Sequence, residues 1–126
     1  MKAIAYLQHG LPIDDPAALI DVDLPMPEPG PRDLLVQVRA IAVNPVDTKV
    51  RASSAVAALR VLGWDAVGKV VRAGSAVTLF APGDEVYFAG SITRSGSNAE
   101  YCLVDERIAA RKPASLSDAE AAALPL

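Results

Sequence analysis

The chain has 126 residues, 52% of them hydrophobic and 21% charged, with 12 Lys and Arg against 15 Asp and Glu for a net charge of −3. That apolar fraction and that small charge exclude a disordered chain, and the acidic balance excludes a nucleic-acid-binding role driven by attraction to phosphates. A single cysteine, Cys102, excludes an intramolecular disulfide framework and any metal site built on several thiolates.

The length fits one domain, residues 1–126, around one core. The apolar opening Met1–Leu7 stops at His9-Gly10-Leu11-Pro12, too short for a secretory leader. No apolar run approaches the roughly 20 residues of a membrane-spanning helix. The expectation is a soluble cytoplasmic protein with neither nucleic-acid nor membrane partners.

Met1–Leu7 is the first predicted strand and Leu19–Asp23 a weaker second. The prolines of Leu24–Pro31 lack the backbone donor that a helix or central strand needs, so this stretch is an extended connector. Leu34–Ile41 alternates, with Val36, Val38 and Ala40 on one face and Gln37 and Arg39 on the other, as a half-buried strand does. Pro45 then forces Asn44 out of the helical region and predicts a rigid polar turn. Ser53–Arg60 is Ala-rich and is predicted as helical, with a loop as the alternative. Val67–Arg72 is a strand whose Gly68 signals a bulge or a close backbone approach. The turn Pro82-Gly83-Asp84 leads into a strand at Glu85–Phe88. Ala99–Val104 and Ile108–Arg111 are two more, split by Asp105-Glu106-Arg107. Ser117-Asp118-Ala119-Glu120 is a capping box, the clearest helix start in the sequence. Many short strands between turns predict a mainly β barrel or sandwich.

Gly63, Gly68 and Gly74 are too widely spaced for G-x-G-x-x-G, and no strand–glycine loop–helix unit is present, so the chain by itself carries no dinucleotide site. His9 lies in a turn as a surface residue, and Cys102 sits mid-strand as a small buried hydrophobe; no metal site is expected. Two readings fit Asn44-Pro45-Val46-Asp47-Thr48-Lys49. Asn44 and Asp47 satisfy backbone amides in an Asx-type turn, or Asn44, Asp47 and Thr48 are presented together as a site.

Asn44-Pro45-Val46-Asp47-Thr48, Leu62-Gly63-Trp64-Asp65-Ala66-Val67-Gly68, Phe80-Ala81-Pro82-Gly83-Asp84-Glu85-Val86-Tyr87, Gly96-Ser97-Asn98-Ala99-Glu100-Tyr101 and Lys112-Pro113-Ala114-Ser115-Leu116-Ser117 follow one another in an order that resembles the medium-chain dehydrogenase/reductase superfamily. The nearest branch is that of the quinone oxidoreductases and zinc-type alcohol dehydrogenase-like proteins. The resemblance covers nearly the whole chain. It implies a GroES-like fold, a distorted β-barrel with short helices, lacking the Rossmann domain that binds NADPH in the family. It therefore implies that the chain is a fragment of a longer two-domain polypeptide, inactive by itself. The zinc enzymes of the family place a ligand in a Gly-His-Glu motif; here that position reads Gly63-Trp64-Asp65, and Trp cannot coordinate zinc. The Cys ligand after the central strand is absent too.

The resemblance thus implies a zinc-independent, NADPH-dependent reductase of quinones or α,β-unsaturated carbonyls, whose acceptors are already electrophilic. Asn44 and Asp47 would line the nicotinamide end of the cleft, with Asn44 donating to the acceptor carbonyl and Asp47 orienting the turn. Lys49 would donate to a developing oxyanion. Thr48 would join Asn44 in holding the cofactor, and Trp64, Ser97 and Asn98 would border the substrate pocket. Asp65 and Tyr101 are assigned to structure, and Arg51 and Arg94 to the surface. The parent enzyme is expected to be a homodimer, and the fragment to self-associate. The rival from another class is a stand-alone GroES-like structural or interaction module; a zinc-dependent alcohol dehydrogenase is disfavoured by its missing ligands.

Overall fold

A computed structural model describes residues 1–126. In chain order it contains β1 (Lys2–Tyr6), β2 (Ile20–Asp23), β3 (Asp33–Ala42), α1 (Pro45–Ser53), β4 (Arg60–Val61), β5 (Asp65–Ala73), β6 (Glu85–Ala89), β7 (Tyr101–Asp105), a 3-10 turn at Glu106–Ile108, β8 (Ala109–Arg111) and α2 (Asp118–Ala122). The strands form a small sheet ordered β2-β1-β4 and a large one ordered β7-β3-β5-β6-β8. Every pairing is antiparallel, so no βαβ unit is present. Residues 98–100 stitch the sheets into a barrel: Ile4 N–H donates to the Asn98 carbonyl at 2.9 Å, and the Glu100 carbonyl accepts Val38 N–H at 2.9 Å. No helix is long and apolar enough to cross a membrane.

The main core is the inward face of the large sheet: Leu34 and Val36 of β3, Ala66 and Val70 of β5, Val86 and Phe88 of β6, Cys102 and Val104 of β7. The predicted alternation of β3 holds from Val36 to Val38, with Gln37 exposed between them, but Ala40 is corrected to the opposite face, where it packs with Val67 and Ala121. Two register shifts interrupt the β3–β5 ladder. Leu35 faces Arg72 and Val36 faces Val70, which leaves Val71 as the extra residue of β5. Val38 faces Gly68 and Ala40 faces Val67, which leaves Arg39 as the extra residue of β3. The two bulges compensate. Both meanings of a glycine inside a strand hold at Gly68, because a Cβ there would collide with the Gln37 carbonyl and the Val36 side chain. Arg39 turns outward to ion-pair with Glu85 of β6 and, at 3.9 Å, Asp118 of α2.

The helix prediction at Ser53–Arg60 is corrected: the helix is one segment earlier, at Pro45–Ser53, and residues 54–59 have no regular structure. Alanine content alone supplies propensity without a face to bury. In α1, Val46 and Val50 stand four residues apart and pack on Tyr6, Leu62 and Trp64, and the Tyr6 hydroxyl ties the helix end by donating to the Ser54 carbonyl at 3.0 Å. The turn expected at Asn44-Pro45 is in fact the helix start, with Asn44 as N-cap, Pro45 in the first turn and Asp47 at the third position. The Ser117 box forms as predicted: Ser117 Oγ accepts Glu120 N–H at 3.3 Å, and the Glu120 carboxylate accepts Ser117 N–H at 2.9 Å. The short α2 it starts buries Ala121 and Ala122 against Val67, covering the second face of β5.

Candidate active site

The end of β3, the start of α1 and the start of β5 converge on Asn44. Its backbone N–H donates to Asp47 Oδ2 at 2.8 Å, so Asp47 closes the first turn of α1 from its third position. The Asn44 side-chain Nδ2 donates across 21 residues of sequence to Asp65 Oδ2 at 2.8 Å. Asp47 and Asp65 are both buried, at 5% and 1% exposure. Burial pushes the Asp65 carboxyl above its ordinary value and the Asp47 charge adds to that, while the Asn44 amide pulls the other way. Asp65, assigned from sequence to structure alone, is therefore part of the cluster. The available signal was a lone carboxylate inside the apolar run Leu62–Val67.

Ser97 and Asn98 sit on the far side of the segment Leu62–Asp65. Ser97 N–H donates to the Gly63 carbonyl at 2.8 Å and Asn98 N–H to the Leu62 carbonyl at 2.9 Å. Gly63 has φ +99°, and a Cβ there would collide with the Asn98 and Ser97 side chains, so only glycine lets this loop close. The chain has four buried side-chain polar atoms without a hydrogen-bond partner: Asp47 Oδ1, Asp65 Oδ1, Ser97 Oγ and Asn98 Oδ1. Buried polar atoms are almost always paired, and exceptions concentrate where a ligand or bound water completes the set. All four exceptions flank the one segment from Leu62 to Asp65.

The remaining candidates lie farther out. Thr48 and Lys49 are exposed on α1; Thr48 Oγ1 donates to the Pro45 carbonyl at 2.9 Å, and Lys49 has no ion-pair partner. Trp64 is buried, packs on Tyr6, Val50 and Leu62, and donates its indole N–H to the Ser91 carbonyl at 3.0 Å. With Phe88, Ser91, Arg94 and Ser97 it lines a cavity of about 300 Å³. Ser97 and Asn98 also border an open apolar groove of about 580 Å³ formed with Ile4, Leu19, Ile41 and Val43. Arg94 is not the free surface cation expected: it grips Asp33 with two bonds of 2.8 Å, and that pairing holds the Asp33 carboxyl below its ordinary value. Arg51 donates to the Leu11 carbonyl at 2.8 Å.

The donor set does not suit zinc. The only histidine, His9, is exposed on a turn, and the only cysteine, Cys102, faces the apolar core of the large sheet. No group of three His, Cys, Asp or Glu side chains converges. Indole nitrogen has no lone pair to offer, and the Asn44 amide nitrogen is committed as a donor to Asp65.

Residues 30–114 match the alcohol dehydrogenase GroES-like domain. The chain belongs to this family. It is accordingly the mainly β GroES-like fold found in the N-terminal part of medium-chain dehydrogenase/reductase enzymes, and an oxidoreductase relative. A zinc-type alcohol dehydrogenase-like protein of Staphylococcus aureus is 54% identical over 100 residues, covering 79% of this chain and 30% of that protein. A solved structure from Rhizobium etli, described as a zinc-dependent alcohol dehydrogenase, superposes with a TM-score of 0.97 at 56% identity, over 100% of this chain and 37% of that one. The Escherichia coli quinone oxidoreductase complexed with NADPH superposes with a TM-score of 0.84 at 27% identity, over 98% and 37% of the two chains. The chain thus spans about a third of the length of these relatives.

Proposed function

We propose that this chain is the substrate-side domain of a longer, two-lobed oxidoreductase that passes hydride from NADPH to a quinone or an α,β-unsaturated carbonyl without zinc. The observation that carries this reading is the chemistry at Asn44 and Trp64. By the resemblance, Trp64 stands where the family's zinc enzymes have a ligand and the Asn44–Asp47 turn replaces their cysteine ligand; Asn44 and Trp64 engage instead as hydrogen-bond donors, to Asp65 and to Ser91. A carbonyl conjugated to an alkene or a second carbonyl is electrophilic enough to accept hydride when positioning and hydrogen bonds replace a Lewis acid.

NADPH would supply the hydride, and its binding groove belongs to the lobe outside this chain. Within the chain, the second N–H of Asn44 donates to the acceptor oxygen, and Thr48, one position beyond Asp47 on α1, helps hold the nicotinamide end. Asp47 fixes the backbone of Asn44 and so the start of α1. Lys49, without an ion-pair partner, stabilises charge that develops on the acceptor oxygen. Ser97 and Asn98 border the acceptor, and Trp64 walls the space behind them. The open apolar groove beside Ser97 and Asn98 favours self-association of the chain when alone, which light scattering reads directly; a monomer at high concentration speaks against it.

The test is kinetic and analytical together. The longer polypeptide, dialysed against a chelator, retains NADPH-dependent reduction of a simple benzoquinone, while the chain alone neither turns over nor binds NADPH by calorimetry. Loss of activity on chelation with recovery on adding zinc overturns the zinc-free reading. Oxidation of simple alcohols in place of quinone reduction overturns the substrate class.

A further inference from the structure

We propose that the cavity behind Trp64 is a second binding site, which takes a small neutral ring compound carrying a hydroxyl and anchors it on Ser97 Oγ. The site stands apart from the hydride-transfer reading above, because Asn44, Thr48 and Lys49 take no part in its wall.

The cavity, of about 300 Å³, runs from Gly63 and Trp64 beneath residues 90–97 to the surface at Arg107 and Ile108, both exposed. An apolar cavity of about 150 Å³ already admits benzene, so a substituted six-membered ring has room. Its body would lie against Trp64, Phe88, Cys102 and Val104, all buried. Buried water is held by about three polar partners. This part of the wall serves water poorly, since even the Trp64 indole N–H is spent on the Ser91 carbonyl at 3.0 Å.

Ser97 supplies the polar anchor. It is 2% exposed, and its Oγ has no hydrogen-bond partner. That oxygen lies against the bare Cα of Gly63, where a Cβ would come within 2.8 Å of it. Gly63 lines this cavity and not the open groove beside Asn98, so the hydroxyl faces the cavity. A ligand hydroxyl answers Oγ in either sense, as donor or as acceptor. The two cations of the wall are neutralised where they stand. Arg94 grips Asp33 with two bonds of 2.8 Å, and Arg107 holds Asp105 at 2.9 and 2.6 Å. No charge is left over to attract an anion, which makes the ligand neutral. A mostly apolar enclosure with one placed polar group is the usual build of a small-molecule site.

The experiment follows the indole N–H of Trp64, the only tryptophan, by NMR of the 15N-labelled chain as phenol is added. Toluene, in which a methyl replaces the hydroxyl, is the second probe. Both should produce saturable shifts of the Trp64 indole and of the Phe88 and Val104 amides. Ser97→Ala should weaken phenol binding roughly threefold to tenfold and leave toluene binding unchanged. A Trp64 signal that phenol leaves in place, or phenol shifts confined to Ile41 and Val43 of the open groove, overturns the proposal. So does a Ser97→Ala chain whose affinities for the two probes change together or not at all. The wild-type titration decides even if the variant fails to fold.

Discussion

Glu106 and Asp65 are both buried carboxylates, at 0% and 1% exposure, and they are served very differently. Glu106 accepts the Thr78 and Leu79 backbone N–H groups at 2.9 and 2.8 Å and the Arg32 guanidinium at 2.8 Å. Those bonds hold its carboxyl below the ordinary range, the Leu79 amide contributing most. Asp65 has one oxygen on the Asn44 amide, the other without a partner, and a second carboxylate beside it. Buried charge is therefore a fastener where its lone pairs are all answered, and an open valence where they are not. The 3-10 corner at Glu106 ties the chain to itself; the cluster of Asn44, Asp47 and Asp65 has acceptor oxygens left over.

The yardstick for that contrast is a purely apolar loss. Leu34→Ala, in the centre of the large sheet, should cost about 2–5 kcal/mol in urea unfolding. Glu106→Gln should cost less than that, because both backbone donors converge on Oε2 and an amide oxygen there still accepts them, so that only the Arg32 pairing is lost, but it should also change the shape of the pH dependence. The folded-state pKa of Glu106 lies below its unfolded value, so its stabilisation is complete above the unfolded value and is lost as pH falls through the folded one. Wild-type stability should decline in that acid range, and Glu106→Gln should flatten the decline.

Asp65 has the opposite sign. Its folded pKa is raised, so its favourable contribution is present below the unfolded value and lost as pH rises through the folded one. Asp65→Asn should therefore gain stability at pH 7, by about 1 kcal/mol, with the gain vanishing in acid; a loss at pH 7 would break the contrast between the two carboxylates. The smallest effect concerns Cys102, whose thiol burial pushes up to about 12. The folded chain should leave a chromogenic disulfide reagent unreacted at pH 8 and consume it only after unfolding.

The strands were legible because their evidence is local. Alternation in Leu34–Ile41, the turn before Glu85 and the single glycine in Val67–Arg72 each mark one element within a few residues. The start of α1 was equally local and was read the other way. Pro45 after Asn44 restricts the residue before it in a turn and at a helix N-cap alike, and only Asp47 at the third position, with Val46 and Val50 four apart, separates the two. The family motifs named Asn44, Asp47, Ser97 and Asn98, three of which carry a buried oxygen without a partner. Asp65 and Arg94 escaped because their meaning lies in partners far along the chain: Asn44 is 21 residues from Asp65, and Asp33 is 61 from Arg94. No periodicity carries that information.

The unmatched residue Arg39 has an evolutionary corollary. Its presence puts Val38 and Ala40 on opposite faces although they are two residues apart. Deleting Arg39 would leave Val38 opposite Gly68 and Ala40 opposite Val67, so the ladder would close up without turning the end of β3 over, at the expense of the Arg39 pairing with Glu85. Lineages should therefore tolerate loss of one residue at this spot far better than loss of one in the regularly paired part of β3, where the residues that follow would change face.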